Sequence, residues 1–242
     1  MGRLEAPGSA NRTVRSPRVS IVIPALNEAE NLPYVLAQLP ADTYELVLVD
    51  GHSIDGTSTV ARTHYPDVKI VGQPGRGKGD ALRAGFAACT GDVIVMMDAA
   101  GSTDGAEIQR FVAALREGAD YAKGSRFMQG GGSEDITLLR RGGNRLLCWL
   151  VNRLYRTSYT DLCYGYNAFW RTSLPAIMPD CRGFEVETLL NVRAAKAGLR
   201  VLRTIRGEWE HRPRPARSEP ATAVEMVGAE VEIVGADGCP GG

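Results

Sequence analysis

Four short apolar runs in the first half of this chain constrain its fold more than any other feature. They cover residues 19–23, 45–49, 68–71 and 92–97, and β-branched side chains are common in them. Near-continuous apolar runs of this length are typical of strands that are covered on both faces, as in a parallel sheet. Stretches with helical spacing lie between the runs. The pattern predicts an α/β fold with a doubly wound, mostly parallel sheet and helices on both faces.

Apolar residues at helical spacing follow the first and the fourth run. They are Leu32, Val35, Leu36 and Leu39 in the first case and Ile108, Phe111, Val112 and Leu115 in the second. Asn27 is a candidate cap for the first of these helices. Asp104 precedes Glu107 by three residues, which matches a capping box at the start of the second. We therefore predict that Asp104 serves its helix and does not bind a ligand.

Length and composition favour one globular domain. A chain of 242 residues with 44% hydrophobic content can bury one sizeable core. We expect a disordered leader over residues 1–17, the folded domain over 18–205 and an irregular or mobile tail over 206–242. The five cysteines have neither metal-ligand nor paired spacing. Reduced thiols and a cytoplasmic location are the simpler interpretation.

Charge and hydropathy limit the partners of the chain. Twenty-eight basic residues balance 28 acidic ones, so net charge gives no reason to expect a nucleic-acid partner. No run approaches the roughly 18 to 20 apolar residues that cross a bilayer. The stretch from about 138 to 155 interleaves leucines with arginines. It is typical either of a helix that lies on the cytoplasmic face of a membrane or of a core-packed helix with a solvated basic face.

Polar residues follow the apolar runs, where ligands bind in doubly wound sheets. Glu28, Asp50 and Asp98 come after the first, second and fourth run. Carboxylates at the ends of buried strands face a ligand crevice or cap a helix, and we expect these three to converge on one rim. Lys78 lies in a glycine-rich turn that opens a helix, where amides and an ammonium meet phosphates. Gly79 replaces the hydroxyl residue of a P-loop, so the alternative of a P-loop phosphotransferase rests on Lys78 alone.

Three arginines in the second half are candidates for binding a diphosphate. Arg126, Arg140 and Arg141 carry guanidinium groups, which grip phosphate oxygens in a fork. Solvated surface arginines are the alternative interpretation.

Several motifs together resemble family 2 glycosyltransferases. They read Val19-Ser-Ile-Val-Ile-Pro-Ala-Leu-Asn-Glu28, Val49-Asp-Gly-His-Ser-Ile-Asp-Gly-Thr57, Gly77-Lys-Gly-Asp-Ala-Leu82 and Val95-Met-Met-Asp-Ala99. Further motifs resemble the polyprenyl-phosphate mannosyl- and glucosyltransferase branch. They read Gly124-Ser-Arg126, Thr160-Asp-Leu-Cys-Tyr-Gly-Tyr-Asn-Ala-Phe169 and Gly183-Phe-Glu-Val-Glu187. The resemblance covers roughly residues 18–202, and several ordered motifs are more specific than any one of them.

The resemblance implies a GT-A fold that binds a nucleoside-diphosphate sugar of the GDP-mannose or UDP-glucose type. The residues it places around this donor are Pro24, Ala25, Asn27, Glu28, Asp50, Ser53, Lys78, Asp98, Ala99, Arg126 and Arg140. Asp98 belongs to an Asp-x-Asp motif, which implies Mg²⁺ or Mn²⁺ on the sugar diphosphate. The motif here reads Asp98-Ala99-Ala100. Because its second acid is absent, we expect weaker metal binding and slower transfer. Glu28, Asp104 or a water are the alternative ligands, of which Asp104 is committed to its helix.

The implied reaction is the inverting transfer of a hexose to a polyprenyl or dolichyl phosphate. Asp98, Arg126 and Asp161 are the predicted catalytic residues. A hydroxyl acceptor is an alternative, and Asp161 or Glu185 would then take its proton. A nucleotide-sugar-binding relative without catalytic activity is the other alternative.

Overall fold

The computed structural model describes residues 16–101, 103–125, 138–155 and 157–205 of the chain. For residues 125, 138–141 and 203–205 it describes the backbone alone. The predicted leader therefore lies outside the described residues except for its last two positions. The predicted tail over 206–242 lies outside them entirely.

Strands and helices alternate along the described residues. The strands are β1 (Val19–Ala25), β2 (Glu45–Asp50), β3 (Lys69–Gly72), β4 (Val93–Met96), β5 (Tyr121–Ser125), β6 (Asn167–Trp170) and β7 (Val201–Ile205). The α-helices are α1 (Leu32–Leu36), α2 (Thr57–His64), α3 (Lys78–Ala88), α4 (Ile108–Arg116), α5 (Leu138–Tyr155), α6 (Leu174–Ile177) and α7 (Val186–Lys196).

The strands form one sheet in the order β3-β2-β1-β4-β6-β5-β7. Strand β6 runs antiparallel to its neighbours β4 and β5, and the other pairs are parallel. The first three strands extend the sheet in one direction from β1, and β4 joins β1 on its other side. The strand order therefore reverses between β1 and β4, where ligands bind in sheets of this type. The predicted mostly parallel, doubly wound sheet is confirmed.

Two apolar layers cover the sheet. In β1, Ile21 and Ile23 contribute to the layer that contains α1, α2 and α4, whereas Val22 contributes to the layer that contains α3, α6 and α7. This alternation is the two-residue period of a strand. All three side chains are fully buried, and each contributes about 1.5–3 kcal/mol relative to exposure. Helices on both faces are thus confirmed.

The helix after β1 differs from the prediction. Helix α1 ends at Leu36 and is preceded by Asn31, whose side chain makes no cap hydrogen bond. The prediction that Asn27 caps this helix is wrong. Asn27 has a φ of 55°, and its side-chain oxygen accepts a hydrogen bond from Ile54 N at 2.9 Å. Its amide side chain serves the neighbouring loop because asparagine tolerates the left-handed region and bonds nearby backbone there.

The other cap prediction is confirmed. Asp104 Oδ1 accepts a hydrogen bond from Ala106 N at 2.9 Å, at the start of a short 3-10 turn that leads into α4. This carboxylate is therefore committed to its helix. At the edge of the sheet, β3 is only partly buried, although the sequence suggested a strand covered on both faces.

The predicted helix over residues 138–155 forms as α5, and its inner face packs on the domain. Cys148 and Val151 are buried against Tyr159 and Leu162. No helix within the described ranges combines the length and the apolar character that crossing a bilayer requires. The four cysteines in these ranges are free thiols.

The start of α3 lies against the loop that precedes α7. Gly79 N donates a hydrogen bond to Arg182 O at 2.8 Å. A Cβ atom added to Gly79 would lie 2.5 Å from Cys181 O, so the close approach requires a glycine. This contact brings the first turn of α7 next to Lys78.

Replacing Gly79 with alanine should destabilise the domain. The added methyl group would displace the backbone at Cys181, and overpacking of this kind costs about 1–3 kcal/mol of the free energy of unfolding. Urea denaturation measures the change. Gly72→Ala is the matched control, because a Cβ atom there meets no atom within 4 Å. Equal stability of the two variants would contradict the close approach.

Candidate functional site

The carboxyl ends of three neighbouring strands bring the predicted acids to one edge of the sheet. Ala25, the last residue of β1, lies opposite Asp50, the last residue of β2. Strand β4 pairs with the other side of β1, and Asp98 follows its end by two residues. Glu28 follows β1 by three residues. The structure therefore places Glu28, Asp50 and Asp98 along the same rim, as expected.

Hydrogen bonds hold the loop after β1 against the loop after β2. Three backbone N–H groups of the first loop donate to side chains of the second: Asn27 N to Ser53 Oγ at 3.0 Å, Glu28 N to Thr57 Oγ1 at 2.9 Å and Ala29 N to Asp55 Oδ2 at 3.0 Å. In the other direction, Ile54 N donates to Asn27 Oδ1 at 2.9 Å. The predicted nucleoside residues thus belong to one interlocked pair of loops. Such a rim is ordered before a ligand arrives, which lowers the entropic cost of binding.

Asp50 is held in its ionised form at the end of β2. Its two carboxylate oxygens accept hydrogen bonds from Ser53 N and from Ser58 Oγ, each at 3.0 Å. Partial burial raises the pKa of Asp50, but these hydrogen bonds bring it below the ordinary value. An ionised carboxylate only accepts hydrogen bonds, so Asp50 is suited to hydroxyl or N–H groups of a ligand.

The remaining predicted nucleoside residues lie around Asp50. Pro24 is half-buried and Ala25 is buried, so their backbone forms the floor of the rim. The carboxylate of Glu28 is half-buried, and its Oε2 accepts a hydrogen bond from Asn31 Nδ2 at 2.6 Å. The carboxylates of Asp50 and Glu28 thus supply acceptor oxygens after the ends of β2 and β1.

Lys78 joins this rim to the second half of the chain through two carboxylates. Its Nζ atom lies 2.6 Å from Asp98 Oδ1 and also forms an ion pair with Glu187 Oε1. Burial lowers the pKa of Lys78, but the two carboxylates raise it above its ordinary value, so the side chain stays an ammonium. Burial raises the pKa of Glu187 against the opposing effect of Lys78. We call Lys78, Asp98 and Glu187 the charged cluster.

Gly165 provides the space in which the charged cluster forms. A Cβ atom at this position would lie 2.7 Å from Glu187 Oε1 and 2.8 Å from Asp98 Oδ2. The two carboxylates therefore converge on the same backbone atom. On the exposed side, the ring centroid of Phe184 lies 5.9 Å from Lys78 Nζ, within the range of a cation–π contact.

Sequence reasoning did not single out Glu187. It lies in the motif at 183–187 that resembles the glycosyltransferase branch, but the sequence predicted no role for it. A signal was present, because Val186, Leu190 and Ala194 mark the buried face of a helix. Glu187 is 7% exposed beside them. An acid next to the apolar positions of a helix needs a buried partner, and here the partner comes from residue 78.

Four other predicted site residues do not belong to the ion pairs of the charged cluster or are incompletely described. Asp161 is buried, and its Oδ1 accepts a hydrogen bond from Cys163 N at 3.1 Å. Ala99 is buried directly after Asp98. Arg126 lies outside the described residues, and Arg140 is described by its backbone alone, so their contacts with a diphosphate stay predictions.

The sequence model of glycosyl transferase family 2 matches residues 20–190. The chain belongs to this glycosyltransferase family. An uncharacterized glycosyltransferase of Mycobacterium tuberculosis (strain ATCC 25618 / H37Rv) is 36% identical over 185 residues, which cover 76% of this chain and 82% of the relative. The undecaprenyl-phosphate 4-deoxy-4-formamido-L-arabinose transferase of Pseudomonas fluorescens (strain Pf0-1) is 31% identical over 175 residues, which cover 68% of this chain and 50% of that enzyme.

A solved structure of the glucosyl-3-phosphoglycerate synthase from Mycobacterium tuberculosis is also similar. It contains Mn²⁺, UDP-glucose and phosphoglyceric acid, and it superposes with a TM-score of 0.66 at 25% identity over 88% of this chain and 75% of that one. The family 2 chain described here is therefore a glycosyltransferase with the GT-A type of α/β fold. Its sheet edge is the candidate active site.

Replacing Asp55 with alanine should loosen the interlocked loops. Its carboxylate accepts hydrogen bonds from Ala29 N, from Thr57 N and from Thr57 Oγ1. Loss of a carboxylate that caps the start of a helix costs about 0.5–2 kcal/mol of the free energy of unfolding. Urea denaturation at neutral pH measures this difference.

The difference between wild type and Asp55→Ala should also depend on pH. Partial burial raises the pKa of Asp55, but its hydrogen bonds bring it below the ordinary value. Its contribution is complete above the pKa of an unfolded aspartate, about 3.9, and is lost as the pH falls through the folded value. Asp67→Ala, at an exposed position, is the control. A difference that stays constant into acid would refute the role of the ionised group.

Proposed function

We propose that this glycosyltransferase transfers a hexose from a nucleoside-diphosphate sugar to a polyprenyl phosphate with inversion at the anomeric carbon. The observation that carries this proposal is the position of the charged cluster at the same sheet edge as the ordered acidic rim. One end of the edge offers hydrogen-bond acceptors. The other end offers a buried ammonium between two carboxylates. This division suits a donor with a nucleoside at one end and a diphosphate at the other.

The rim supports binding of the nucleoside. Asp50 stays ionised at the end of β2, and Glu28 lies on the loop that is interlocked with the loop after β2. Both accept hydrogen bonds from ribose hydroxyls or from an N–H group of a base. The similar glucosyl-3-phosphoglycerate synthase binds UDP-glucose, which makes a uridine donor the first to test and a guanosine donor the second.

The charged cluster supports binding of the diphosphate. Lys78 carries three N–H donors, and the described contacts with Asp98 and Glu187 account for two of them. Lys78 is the first residue of α3, so the positive end of the helix dipole lies next to its ammonium. The predicted contacts of Arg126 and Arg140 would add two guanidinium groups to the same phosphates.

The site is also compatible with a divalent metal ion, Mg²⁺ or Mn²⁺. A cationic group already lies against Asp98, and the glycine at position 165 lets the carboxylates of Asp98 and Glu187 converge. Asp98 would hold the ion, since hard cations of this kind bind through one or two carboxylates together with substrate phosphates. A bound ion would neutralise charge on the departing diphosphate.

The proposed reaction is a single displacement. An oxygen of the acceptor phosphate forms a bond to the anomeric carbon while the bond from that carbon to the donor diphosphate breaks. The electron pair of the broken bond goes to the diphosphate, and Lys78 stabilises the added negative charge. Because the acceptor phosphate is already anionic, positioning suffices and no strong base is required.

The position of the two candidate bases favours a phosphate acceptor over a hydroxyl. Asp161 is 1% exposed, which separates it from a substrate at the surface. Glu185 is exposed, but hydrogen bonds with backbone N–H groups of residues 183 and 185 lower its pKa below the ordinary value. A carboxylate with a lowered pKa is a poor general base at neutral pH.

The outer face of α5 supports a lipid acceptor. Leu146, Trp149, Leu150 and Leu154 are exposed at intervals of one, three or four residues, with Arg153 between them. We call these five side chains the α5 outer face. Hydrogen bonds between α5 and the segment that follows it fix the orientation of this face. Asn152 Oδ1 accepts hydrogen bonds from Tyr159 N at 2.7 Å and from Thr157 Oγ1 at 2.9 Å. Exposed leucines and tryptophan with a basic residue are typical of a helix that lies on a membrane surface.

The purified chain should transfer labelled hexose from UDP-glucose or GDP-mannose to undecaprenyl or dolichyl phosphate. Asp98→Asn should slow transfer by about a hundredfold or more, the effect of losing one preorganised electrostatic group at a transition state. Thin-layer chromatography of the lipid product measures the rate, and Asp67→Asn is the matched surface control.

Two results would contradict the proposed function. Transfer to 3-phosphoglycerate with none to either lipid phosphate would assign a small-molecule acceptor. Donor binding without transfer to any acceptor would make the chain a nucleotide-sugar-binding protein without catalytic activity.

The α5 outer face should bind anionic vesicles. Arg153→Gln should lower sedimentation with phosphatidylglycerol vesicles about fivefold, because one basic residue near an anionic surface contributes about 1 kcal/mol. The double variant Trp149→Ser, Leu150→Ser should lower it further through lost apolar burial.

Matched controls on other helices are Arg62→Gln on α2 and Tyr34→Ser on α1, both at exposed positions. Equal sedimentation of the α5 variants and these controls would contradict membrane binding through this helix. A change in oligomeric state caused by the double variant would instead identify the face as a contact between copies of the chain.

A further inference from the structure

We propose that Glu187 supplies the second metal-binding carboxylate that the Asp-x-Asp motif lacks at Ala100, and that Lys78 occupies this cation position when the metal is absent. This inference rests on the proposed function, since the ion would act on the donor diphosphate. It assigns a role to a residue that lies 89 positions from Asp98 in the sequence.

The geometry of the charged cluster is the first argument. Lys78 Nζ contacts Asp98 Oδ1 and Glu187 Oε1 at hydrogen-bond distance. The two carboxylate oxygens thus share a single cation position. The charged nitrogen therefore marks a point that both oxygens can coordinate.

The space around the carboxylates is the second argument. Gly165 faces Glu187 Oε1 and both oxygens of Asp98, and a Cβ atom there would lie 2.7–2.9 Å from all three. The glycine thus lets both carboxylates pack against its backbone, and any larger residue would displace a carboxylate. Close convergence of two acids without a cation would be unfavourable.

The chemistry of the ligands is the third argument. Two carboxylates with substrate phosphates and waters are the usual ligand set of Mg²⁺, and Mn²⁺ accepts the same oxygen ligands. Ala100 offers no ligand and is exposed, whereas Glu187 presents its carboxylate from the first turn of α7. Exchange of the ammonium for a divalent ion would neutralise both carboxylates and release Lys78 to contact the diphosphate.

Binding of Mn²⁺ to the full chain, with and without UDP, tests the role of Glu187. The electron paramagnetic resonance signal of free Mn²⁺ gives the affinity without any activity measurement. Glu187→Gln should weaken Mn²⁺ binding by at least about tenfold, the lower bound for residues that only support metal ligands. In the double variant Glu187→Gln, Ala100→Asp, the affinity for Mn²⁺ should return, because Ala100→Asp restores the missing acid of the Asp-x-Asp motif. Glu117→Gln, at an exposed helix end, is the control.

Lys78→Met should change the affinity for Mn²⁺ in the opposite direction. Removing the ammonium removes the competing cation, so this variant should bind Mn²⁺ without UDP more tightly than wild type, and Mn²⁺ should raise its melting temperature. A gain of this kind cannot arise from misfolding. The same variant should bind UDP more weakly because a phosphate contact is lost.

Three results separate failure of this inference from failure of the proposed function. Unchanged Mn²⁺ affinity in Glu187→Gln would overturn the role of Glu187. Wild-type chain that binds UDP and transfers hexose without binding Mn²⁺ would also overturn it and leave the proposed function standing. Absence of UDP binding, GDP binding and transfer in the wild type would overturn both.

Discussion

The ion pairs of Lys78 with Asp98 and Glu187 are the interaction on which the candidate active site depends. They join the start of α3, the turn after β4 and the first turn of α7. A nearly buried ammonium is stable only with anionic partners, and buried carboxylates require a cation in turn. Each of these three segments therefore holds the others in place. The half of the domain that carries the rim around Asp50 and the second half meet at this point.

Two glycines, Gly79 and Gly165, lie close to the charged cluster for a physical reason. At Gly79 the backbone contacts the loop before α7, and at Gly165 it faces both carboxylates. A side chain at either position would push apart the segments that the ion pairs draw together. Packing and electrostatics thus impose the same local geometry. The site differs in this respect from the rim around Asp50, where backbone-to-side-chain hydrogen bonds determine the shape of two loops.

The sequence predicted the sheet well because its signal is local. Runs of buried residues identify the strands, and the acids that follow them end on one edge wherever the strands are parallel. Asp50 and Asp98 were found in this way. Glu187 was not assigned because its role depends on a contact with residue 78, and no local period encodes that contact. The cap prediction for Asn27 was wrong for a related reason, since its side chain bonds to the adjacent loop and not to the helix that follows it.

Helix α5 shows why its pattern alone left two interpretations open. The helix is core-packed through Cys148 and Val151 and at the same time exposes Leu146 and Trp149 on its other side. Interleaved leucines and arginines are compatible with either arrangement, and only contacts with Tyr159 and Leu162 determine which face turns inward. The candidate active site is built from strand ends and loops, whereas this outer face belongs to a separate helix. The two surfaces can therefore change independently, so relatives with similar donor motifs need not share an acceptor.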